Sequence, residues 1–413
     1  YVGHRAEHVH GADQVIRSSA IPDTNIEVQA ALKADIPVLK RADFLGQLMD
    51  GRQGVAVAGS HGKTSTTAML AWVLTALEQD PTFIVGGNVN NLETNASAGK
   101  GSVFLIEADE YDYMFLGLRP KIAVVTNVEH DHPDIFPTPD IFHQAFHDFV
   151  RTLPAGGLLL ACGDDPGAAD LLPGAADDGY RTFSYGINTV DHDYAAQNLV
   201  TNTQGGFTFD LISAGNFIST CSLQVPGKHN VSNAVAVLAV VDQLGLSIVQ
   251  AAHALATFTG AGRRFQVLGE ANGVTVIDDY GHHPTEILAT LAAARARYPE
   301  RPIWAVWQPH TYTRTQLLFD EFAASFNDAN HVIVTAIFRS REAADAGFSA
   351  KQIVDIMPHD DAHYIADLTD AASFLIGRVT SGDVIIVFSA GDATQISSQL
   401  ITALSTVEEN QNG

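Results

Sequence analysis

A glycine-rich run that ends in lysine and threonine is the part of this sequence best suited to chemistry, and it reads Gly59-Ser60-His61-Gly62-Lys63-Thr64. Its glycines let backbone N–H groups approach phosphate oxygens, Lys63 can reach the terminal phosphates of a nucleotide, and the Thr64 hydroxyl can hold magnesium. The usual phosphate loop carries a further glycine where Val57 stands here, so the run is a shortened variant of that motif.

The residues on either side of this run predict the elements that position it. Val55-Ala56-Val57-Ala58 is typical of a short buried strand, and residues 65–77 are typical of a helix. A Gly-Lys-Thr tripeptide alone is common by chance, but the order strand, loop, helix also places the positive end of a helix against the phosphates. We therefore predict that residues 58–64 bind a nucleotide.

Acidic and imidazole side chains follow two further predicted strands. The strand at 103–106 ends in Glu107-Ala108-Asp109-Glu110, and the strand at 122–126 ends in Asn127-Val128-Glu129-His130-Asp131-His132. Ligands of an open parallel sheet lie at the carboxyl ends of its strands, so Glu107 and His132 are candidate ligands for phosphate-bound magnesium. Each cluster could instead cap a helix or line a solvated loop, and a zinc site at the histidines is a less favoured alternative.

Polar side chains also follow three strands that we predict in the last third of the chain, at 274–277, 303–306 and 384–388. Tyr280, His282 and His283 follow the first of these strands, His310 and Arg314 follow the second, and Ser389 and Asp392 follow the third. Lone histidines are usually structural or surface residues, but several at strand ends favour a site. Because a guanidinium binds a carboxylate through two parallel hydrogen bonds, Arg314 indicates a pocket for an acid.

Two adjacent arginines stand at the expected junction between domains, in the run Gly262-Arg263-Arg264-Phe265. Either guanidinium could meet a phosphate from the second domain. A plain surface role is the alternative, and the sequence does not decide between them.

Composition narrows the class of protein. The 413 residues are enough for two or three domains, and a hydrophobic fraction of 46% supports a large core. The formal charge of −24 argues against a nucleic-acid or anionic membrane surface. Cys162 and Cys221 are the only cysteines, which excludes a disulfide framework, and no apolar run approaches the length of a membrane span.

Predicted strands and helices alternate along the chain, which favours α/β domains with mostly parallel sheets. Residues 180–225 are rich in Thr, Asn and Gly and suggest a small β insert, and residues 229–244 predict a long helix. In the last third we predict helices at 284–297, 314–327, 349–357, 368–378 and 392–404.

The motifs together resemble the Mur ligase family. Besides the phosphate loop and Glu107-Ala108-Asp109-Glu110, the chain contains, in the order seen in that family, His229-Asn230-Val231-Ser232-Asn233-Ala234, Gly262-Arg263-Arg264-Phe265, Asp278-Asp279-Tyr280-Gly281-His282-His283-Pro284-Thr285-Glu286 and Gln308-Pro309-His310. This ordered set covers nearly the whole chain. The His-His-Pro-Thr-Glu and Gln-Pro-His blocks are most similar to the branch of the family that adds L-alanine.

The resemblance implies an α/β fold with three domains. These are the remainder of a truncated, Rossmann-like, N-terminal UDP-sugar-binding domain (1–45), a central phosphate-loop ATPase domain (46–259) and a C-terminal Rossmann-like ligase domain (260–413). It implies ATP-dependent ligation of L-alanine to the lactyl carboxylate of UDP-N-acetylmuramate, through an acyl phosphate, in peptidoglycan synthesis. It further implies a cytoplasmic enzyme that uses magnesium, is a monomer or homodimer, and neither binds nucleic acid nor inserts into a membrane.

The resemblance also implies roles for individual residues. ATP would be bound by Ala58, Gly59, Ser60, His61, Gly62, Lys63, Thr64, Asn230 and Arg263, with Asn230 at the adenine and Arg263 at the phosphates. Magnesium would be held by Thr64, Glu107 and His132. Ser18, Ser19 and Asn95 would face the nucleotide sugar, and the amino-acid and acyl end would be lined by Tyr280, His282, His310 and Arg314. The catalytic set would be Lys63, His132, His282, His310 and Arg314.

Two departures from the family pattern bear on the substrate site. The glycine-rich turn that grips the UDP diphosphate does not precede Tyr1, so we expect the sequence to be a fragment with an incomplete sugar-nucleotide site. Thr311 stands where some relatives carry arginine, which puts one anionic contact in doubt.

Three alternatives stay open at this point. The first is the related ligase that attaches a recycled murein tripeptide to the same UDP sugar, which shares the phosphate chemistry. The second is a folate polyglutamate ligase, against which the His-His-Pro-Thr-Glu block argues. The third is a nucleotide-binding regulatory protein without ligase activity.

Overall fold

The structure of the chain is a computed structural model that describes residues 1–18, 20–345 and 347–412. The described residues form two compact units. The first contains residues 1–63, 78–84 and 96–186, and the second contains residues 64–77, 85–95 and those from 187 onward. Among the described residues, no helix combines the length and the hydropathy needed to cross a membrane.

Strands and helices alternate through the first half of the chain, as the sequence predicts. In chain order they are β1 (Val15–Arg17), α1 (Ile26–Lys33), β2 (Val38–Lys40), α2 (Arg41–Met49), β3 (Gln53–Ala58), α3 (Lys63–Ala76), β4 (Thr82–Val89), β5 (Thr94–Ser97), β6 (Val103–Glu107), β7 (Ile122–Val125), α4 (Pro139–Val150), β8 (Leu158–Cys162), α5 (Pro166–Ala169), α6 (Leu171–Asp177) and β9 (Arg181–Gly186). A 3₁₀ helix at Ala6–Val9 precedes β1, and another at Tyr111–Gly117 lies between β6 and β7.

The second half of the chain begins with three strands and then alternates again. Its elements are β10 (Tyr194–Thr201), β11 (Phe207–Ser213), β12 (Asn216–Ser222), α7 (Lys228–Gln243), α8 (Ile248–Leu255), β13 (Gln266–Ala271), β14 (Val274–Asp279), α9 (Pro284–Arg297), β15 (Ile303–Gln308), α10 (Tyr312–Leu317), α11 (Phe319–Ala323), β16 (His331–Val334), α12 (Lys351–Ile356), β17 (Ala362–Tyr364), α13 (Leu368–Ile376), β18 (Val384–Ser389) and α14 (Thr394–Asn412).

The core of the first unit is a parallel sheet in the order β9-β8-β7-β3-β6-β4. Strand β3 is central, because Val55 pairs with Leu105 of β6 on one side and with Ile122 of β7 on the other. Residues 55–58 are fully buried, which explains their continuous run of apolar side chains. The carboxyl ends of β3, β6 and β7 therefore lie side by side at one edge of the sheet.

An aromatic cluster fixes the chain that follows β6. Helix α4 buries Phe142, Phe146 and Phe149, and Phe115 of the 3₁₀ helix stacks on Phe149 with the ring centroids 4.9 Å apart. Phe115 also meets Phe146 edge-on at 5.3 Å. This packing anchors the residues that immediately follow Glu107.

The second unit contains a six-stranded sheet in the order β13-β14-β18-β15-β16-β17. Strands β14, β18, β15, β16 and β17 are parallel, whereas the edge strand β13 pairs antiparallel with β14. Alternate side chains point to two separate cores, so that Trp307 packs on one face of the sheet and Val306 on the other. This alternation confirms a doubly covered α/β sheet.

The second unit contains the predicted β insert and the region where a single helix was predicted over 314–327. Strands β10, β11 and β12 form an antiparallel meander, which confirms the predicted β insert. The single helix predicted over 314–327 is wrong, because α10 ends at Leu317 and α11 begins at Phe319. Between them Leu318 has a φ of −106° and a ψ of 33°, outside the helical region.

Candidate functional site

The phosphate loop of the first unit has the backbone that its glycines predict. Gly59 has a φ of 140° and Gly62 a φ of 79°, and both angles disfavour residues that carry a Cβ. A Cβ at Gly59 would lie only 1.9 Å from Thr126 Oγ1, so this glycine is also required by close packing against the end of β7. The loop connects β3 to α3, which confirms the predicted order of strand, loop and helix.

Hydrogen bonds from the segment after β7 hold this loop in place. The Ser60 hydroxyl donates to the Glu129 carbonyl at 2.6 Å and accepts from the Glu129 N–H at 2.9 Å. The His61 N–H donates to Asn127 Oδ1 at 2.8 Å, and His61 Nε2 lies 3.0 Å from a Glu129 carboxylate oxygen. The loop is therefore fixed before any phosphate binds.

Lys63 lies at the first position of α3 with its ammonium turned back over the loop. Its Nζ donates to the carbonyls of Gly59 and Ser60, the second at 3.1 Å, and to Glu110 at 2.9 Å. Burial alone would lower the pKa of Lys63, but the negative charges of Glu110 and Asp109 outweigh burial and raise it. The side chain therefore stays cationic in a largely buried place.

Glu110, the last residue of the acidic cluster after β6, also belongs to this group, although its position in the sequence did not indicate a role. It is completely buried, and His132 Nε2 lies 3.5 Å from one of its carboxylate oxygens. Burial alone would raise the pKa of Glu110, but the charges of Lys63 and His132 lower it below its ordinary value. The structure thus brings Lys63 and His132, two residues that we predicted separately, to one shared carboxylate.

The residues around this carboxylate fit the chemistry of a hard cation. Glu107 ends β6 and is partly buried, and His132 lies in the left-handed region with a φ of 54°. One imidazole beside carboxylate oxygens suits magnesium better than zinc, which prefers several nitrogen or sulfur ligands. Thr64, the residue after Lys63, is buried in the first turn of α3.

In the second unit, the stretch after β14 brings two arginines onto one aromatic ring. The guanidinium carbons of Arg263 and Arg264 lie 4.9 Å and 5.1 Å from the centre of the Tyr280 ring. The Tyr280 N–H donates to the Arg263 carbonyl at 2.7 Å, and an Arg263 guanidinium N–H donates to the Ser389 carbonyl. The predicted strand-end residues of β14 and β18 are therefore brought together with Arg263.

The His-His-Pro-Thr-Glu block is explained by the start of α9. His283 is the N-cap, Pro284 follows it, and the Glu286 carboxylate accepts the N–H of His282 at 2.9 Å and that of His283 at 3.3 Å. This is a capping box with histidine in the position where serine or threonine is usual. Glu286 also lies 3.4 Å from Arg264, so one carboxylate orients both the histidine pair and an arginine.

His310 and Arg314 meet one turn apart after β15. An Arg314 guanidinium nitrogen lies 3.1 Å from His310 Nδ1, and only 4% of Arg314 is exposed. The rings of His282 and His310 are 6.0 Å apart, and those of Tyr280 and His282 are 5.3 Å apart. The four residues predicted for the amino-acid and acyl end thus form one continuous group in the second unit.

The remaining predicted residues lie elsewhere. In α7, the Asn230 amide donates to the Pro226 carbonyl at 2.7 Å, and its side-chain oxygen accepts from Asn233 at 3.2 Å. Asn95 is exposed in β5, and Ser18 is exposed just after β1. Ser19 lies outside the described residues. No contact to a sugar nucleotide or adenine is established for any of them, and their roles stay predictions.

Asp279, at the end of β14, is a second residue whose role the sequence did not predict. Its two carboxylate oxygens each accept a backbone N–H at 2.7 Å, one from Phe265 and one from Gly281. Burial raises the pKa of Asp279 to about 6. The carboxylate thus ties the arginine run to the turn that carries Tyr280.

The fold and the two groups of polar residues define an α/β protein with a nucleotide phosphate loop. Three family models match the chain. Residues 1–53 match the Mur ligase family catalytic domain, residues 57–241 the Mur ligase middle domain, and residues 263–391 the Mur ligase glutamate ligase domain. The chain therefore belongs to the Mur ligase family.

Several relatives of this chain within the family share one name. The chain is 41% identical to a UDP-N-acetylmuramate–L-alanine ligase of Frankia casuarinae, over 97% of this chain and 86% of that protein. It is also 41% identical to the ligase of the same name from Myxococcus xanthus, over 98% of this chain and 85% of that protein. The crystal structure of UDP-N-acetylmuramate–alanine ligase from Thermotoga maritima superposes with a TM-score of 0.80 at 26% identity, over 100% of this chain and 88% of that one.

Proposed function

We propose that this chain is the ATP-dependent ligase that joins L-alanine to the lactyl carboxylate of UDP-N-acetylmuramate in peptidoglycan synthesis. The observation that carries the proposal is the joint placement of Lys63 and His132 on one buried carboxylate, at the sheet edge where the phosphate loop lies. Three relatives that are 41–43% identical over at least 95% of this chain are named UDP-N-acetylmuramate–L-alanine ligase, which supports this specificity.

The first chemical step is phosphoryl transfer to the substrate acid. An oxygen of the lactyl carboxylate attacks the γ-phosphorus of ATP, the bond to the β–γ bridging oxygen breaks, and an acyl phosphate and ADP form. The protein contributes position and charge to such a step rather than covalent chemistry. In this proposal the backbone N–H groups of residues 59–63 and the Lys63 ammonium stabilise the charge of the transferring group.

The second step makes the amide bond. The neutral amine of L-alanine attacks the carbonyl carbon of the acyl phosphate, giving a tetrahedral intermediate that expels inorganic phosphate, and the nitrogen loses a proton. The group formed by Tyr280, His282, His310 and Arg314 supplies donors for an anionic oxygen and a candidate acceptor for that proton. Arg314 suits the carboxylate of the amino acid or the oxyanion, because a guanidinium offers two parallel N–H donors.

The magnesium site is also a proposal. Glu107 and His132 would hold the ion together with the Thr64 hydroxyl and phosphate oxygens, a set of the kind that Mg²⁺ accepts with only one or two protein carboxylates. The ion, when bound, would neutralise phosphate charge. The partly buried Glu107 at the end of β6 and the imidazole of His132 are the features that support this assignment.

Further features of the proposal concern substrates and organisation. Ser18, Ser19 and Asn95 are proposed to face the sugar nucleotide, Asn230 the adenine, and Arg263 the phosphates. The domains are proposed to span 1–45, 46–259 and 260–413, in keeping with the three family models. A cytoplasmic location is proposed because ATP and UDP-linked precursors are its substrates, and a monomer or homodimer remains our expectation.

Release of ADP measured with each substrate omitted in turn tests the proposed function. We expect release only when ATP, UDP-N-acetylmuramate and L-alanine are all present, with product of the mass of the alanyl conjugate. The tripeptide-recycling alternative has some structural support, since a murein peptide ligase from Psychrobacter arcticus superposes with a TM-score of 0.67 at 26% identity. Turnover with L-Ala-γ-D-Glu-meso-diaminopimelate but not with L-alanine would favour that alternative.

A further inference from the structure

Glu110 is a buried carboxylate to which the proposed reaction gives no role. It has no exposed surface, and each of its two oxygens lies 2.9 Å from Lys63 Nζ. Burying a carboxylate is strongly unfavourable unless a cation pairs with it, so the ion pair is what permits an acidic residue here. The pair connects the loop after β3 to the chain that follows β6.

The backbone around Glu110 is fixed without help from Lys63. The Glu110 carbonyl accepts the N–H of Tyr113 at 2.9 Å, and the Asp109 carbonyl accepts the N–H of Phe115 at 2.9 Å. Phe115 is fully buried and stacks on Phe149 of α4. The carboxylate is therefore presented from a rigid support, whereas Lys63 reaches it on a flexible four-carbon stem.

This arrangement determines the position of the Lys63 ammonium when no nucleotide is bound. The carbonyls of Gly59 and Ser60 and the Glu110 carboxylate together draw the ammonium to the carboxyl edge of the sheet. The same carboxylate lies 3.5 Å from His132 Nε2, so one anion contacts both side chains. A cation that is already in place needs no reorganisation when charge develops on a transferring phosphoryl group.

We propose that Glu110 is a positioning residue for phosphoryl transfer, which holds the Lys63 ammonium at the carboxyl edge of the sheet beside His132. The inference rests on the proposed function, because it assigns Glu110 to that reaction. Its effect falls on turnover rather than on nucleotide affinity, since a preorganised cation stabilises the transition state more than the bound nucleotide.

Glu110→Gln tests the proposal, because it keeps the shape of the side chain and removes the charge. We expect kcat to fall about 30-fold while KM for ATP changes less than threefold, with partial recovery in Glu110→Asp. Asp112→Asn is the matched control, since it removes a carboxylate two residues away, in the 3₁₀ helix that follows Glu110, and it should leave kcat within twofold of wild type.

A second measurement separates this inference from the proposed function. The rate at which Lys63 is acylated by a soluble activated ester, followed by mass spectrometry without substrates, reports on how the ammonium is held and does not depend on ligation. We expect Glu110→Gln to raise that rate about tenfold and Asp112→Asn to leave it unchanged. An unchanged acylation rate or an unchanged kcat in Glu110→Gln would each overturn the positioning role. Absence of ligation in the wild type, together with a raised acylation rate in Glu110→Gln, would overturn the proposed function and leave the Glu110–Lys63 pairing in place.

Discussion

Arg314 is an almost fully buried guanidinium that lies 3.1 Å from His310 Nδ1. The backbone around it is unusual, since Thr311 at the start of α10 has a φ of 66° and a ψ of 144°. A β-branched residue is rarely found there, and such strain persists only where the surrounding structure enforces it. The strained turn places His310 and Arg314 in contact, which is the arrangement expected of a binding group rather than of a surface arginine.

Arg314→Ala should therefore impair the use of L-alanine or of the acid more than it impairs nucleotide binding. We expect kcat/KM for one of these substrates to fall 10- to 100-fold, while the affinity for ADP stays within threefold of wild type. Steady-state kinetics and ADP titration measure the two effects. Arg378→Ala, which removes an exposed arginine of the same unit, is the control. A large loss of ADP affinity, with unchanged kinetics for L-alanine and for the acid, would show that Arg314 belongs to the nucleotide site instead.

The proposed magnesium ligands make a second prediction at this scale. Glu107→Ala and His132→Ala should each raise the magnesium concentration needed for half-maximal turnover about tenfold or more, because each removes one of few protein ligands. Magnesium titration of the initial rate measures this. Asp134→Ala, at a carboxylate that accepts the Tyr111 hydroxyl at 3.0 Å, should leave the titration unchanged. Normal magnesium dependence in both ligand variants would exclude this site.

Asp279 predicts a dependence of stability on pH. Burial raises its pKa from an ordinary 3.8 to about 6, so between these values the folded protein keeps a proton that the unfolded chain has lost. This group's contribution to stability therefore falls as pH rises through that window and is constant above it. The stability of Asp279→Asn relative to wild type should rise by about 2–3 kcal/mol between pH 4 and pH 7.

Chemical denaturation at the two pH values measures that difference. Asp320→Asn, at an exposed aspartate in the same unit, should show a difference that does not change with pH. If the relative stability of Asp279→Asn stays constant from pH 4 to pH 7, then Asp279 is ionised throughout and its burial does not perturb it.

At the scale of elements, the phosphate loop depends on close packing between β3 and the end of β7. Gly59→Ala would place a methyl group 1.9 Å from Thr126 Oγ1, and no alternative backbone is available at a φ of 140°. We expect the affinity for ADP to fall at least 100-fold, as measured by calorimetric titration. Gly156→Ala is a matched control, since Gly156 also has a positive φ, of 75°, but no atom lies within 4 Å of its added methyl group. It should cost about 1 kcal/mol of stability and no ADP affinity.

Elements with local signals in the sequence were predictable. Helix α9 spans Pro284–Arg297 as predicted, because histidine, proline and glutamate mark its first turn unambiguously. The break at Leu318 was not predictable, because an apolar pattern continues across it and tertiary contacts decide where the helix stops. Strands β4 and β13 were missed for a related reason, since neither has the continuous apolar run that marked the central strands.

The part of the candidate site that lies at the carboxyl ends of strands was predictable from the sequence. The parallel order of β3, β6 and β7 places Glu107 and His132 near the phosphate loop, as the motifs imply. The partner of Lys63 was not predictable, since Glu107, Asp109 and Glu110 are all acidic and only the turn after β6 decides which of them is buried. Left-handed φ angles at Asp112 and Tyr113 accompany that turn, and neither residue type signals it.

At the scale of the whole molecule, the charge of −24 contrasts with a set of anionic substrates. Local cations can attract anionic substrates in spite of this net charge. They are Lys63 in the first unit and Arg263, Arg264 and Arg314 in the second. Each of these is held by hydrogen bonds or by an aromatic ring, so its position does not depend on the average charge of the surface.

Substrate-dependent ADP release, measured for wild type and Lys63→Ala in parallel, tests whether this chain is the proposed ligase and whether its phosphate loop carries the reaction. We expect ADP release by the wild type only with both UDP-N-acetylmuramate and L-alanine, formation of the alanyl conjugate in equal amount, and at least a 100-fold loss in Lys63→Ala under conditions where circular dichroism shows that the variant is still folded. ADP release by the wild type that is indifferent to L-alanine, or activity of Lys63→Ala within tenfold of wild type, would contradict the proposal.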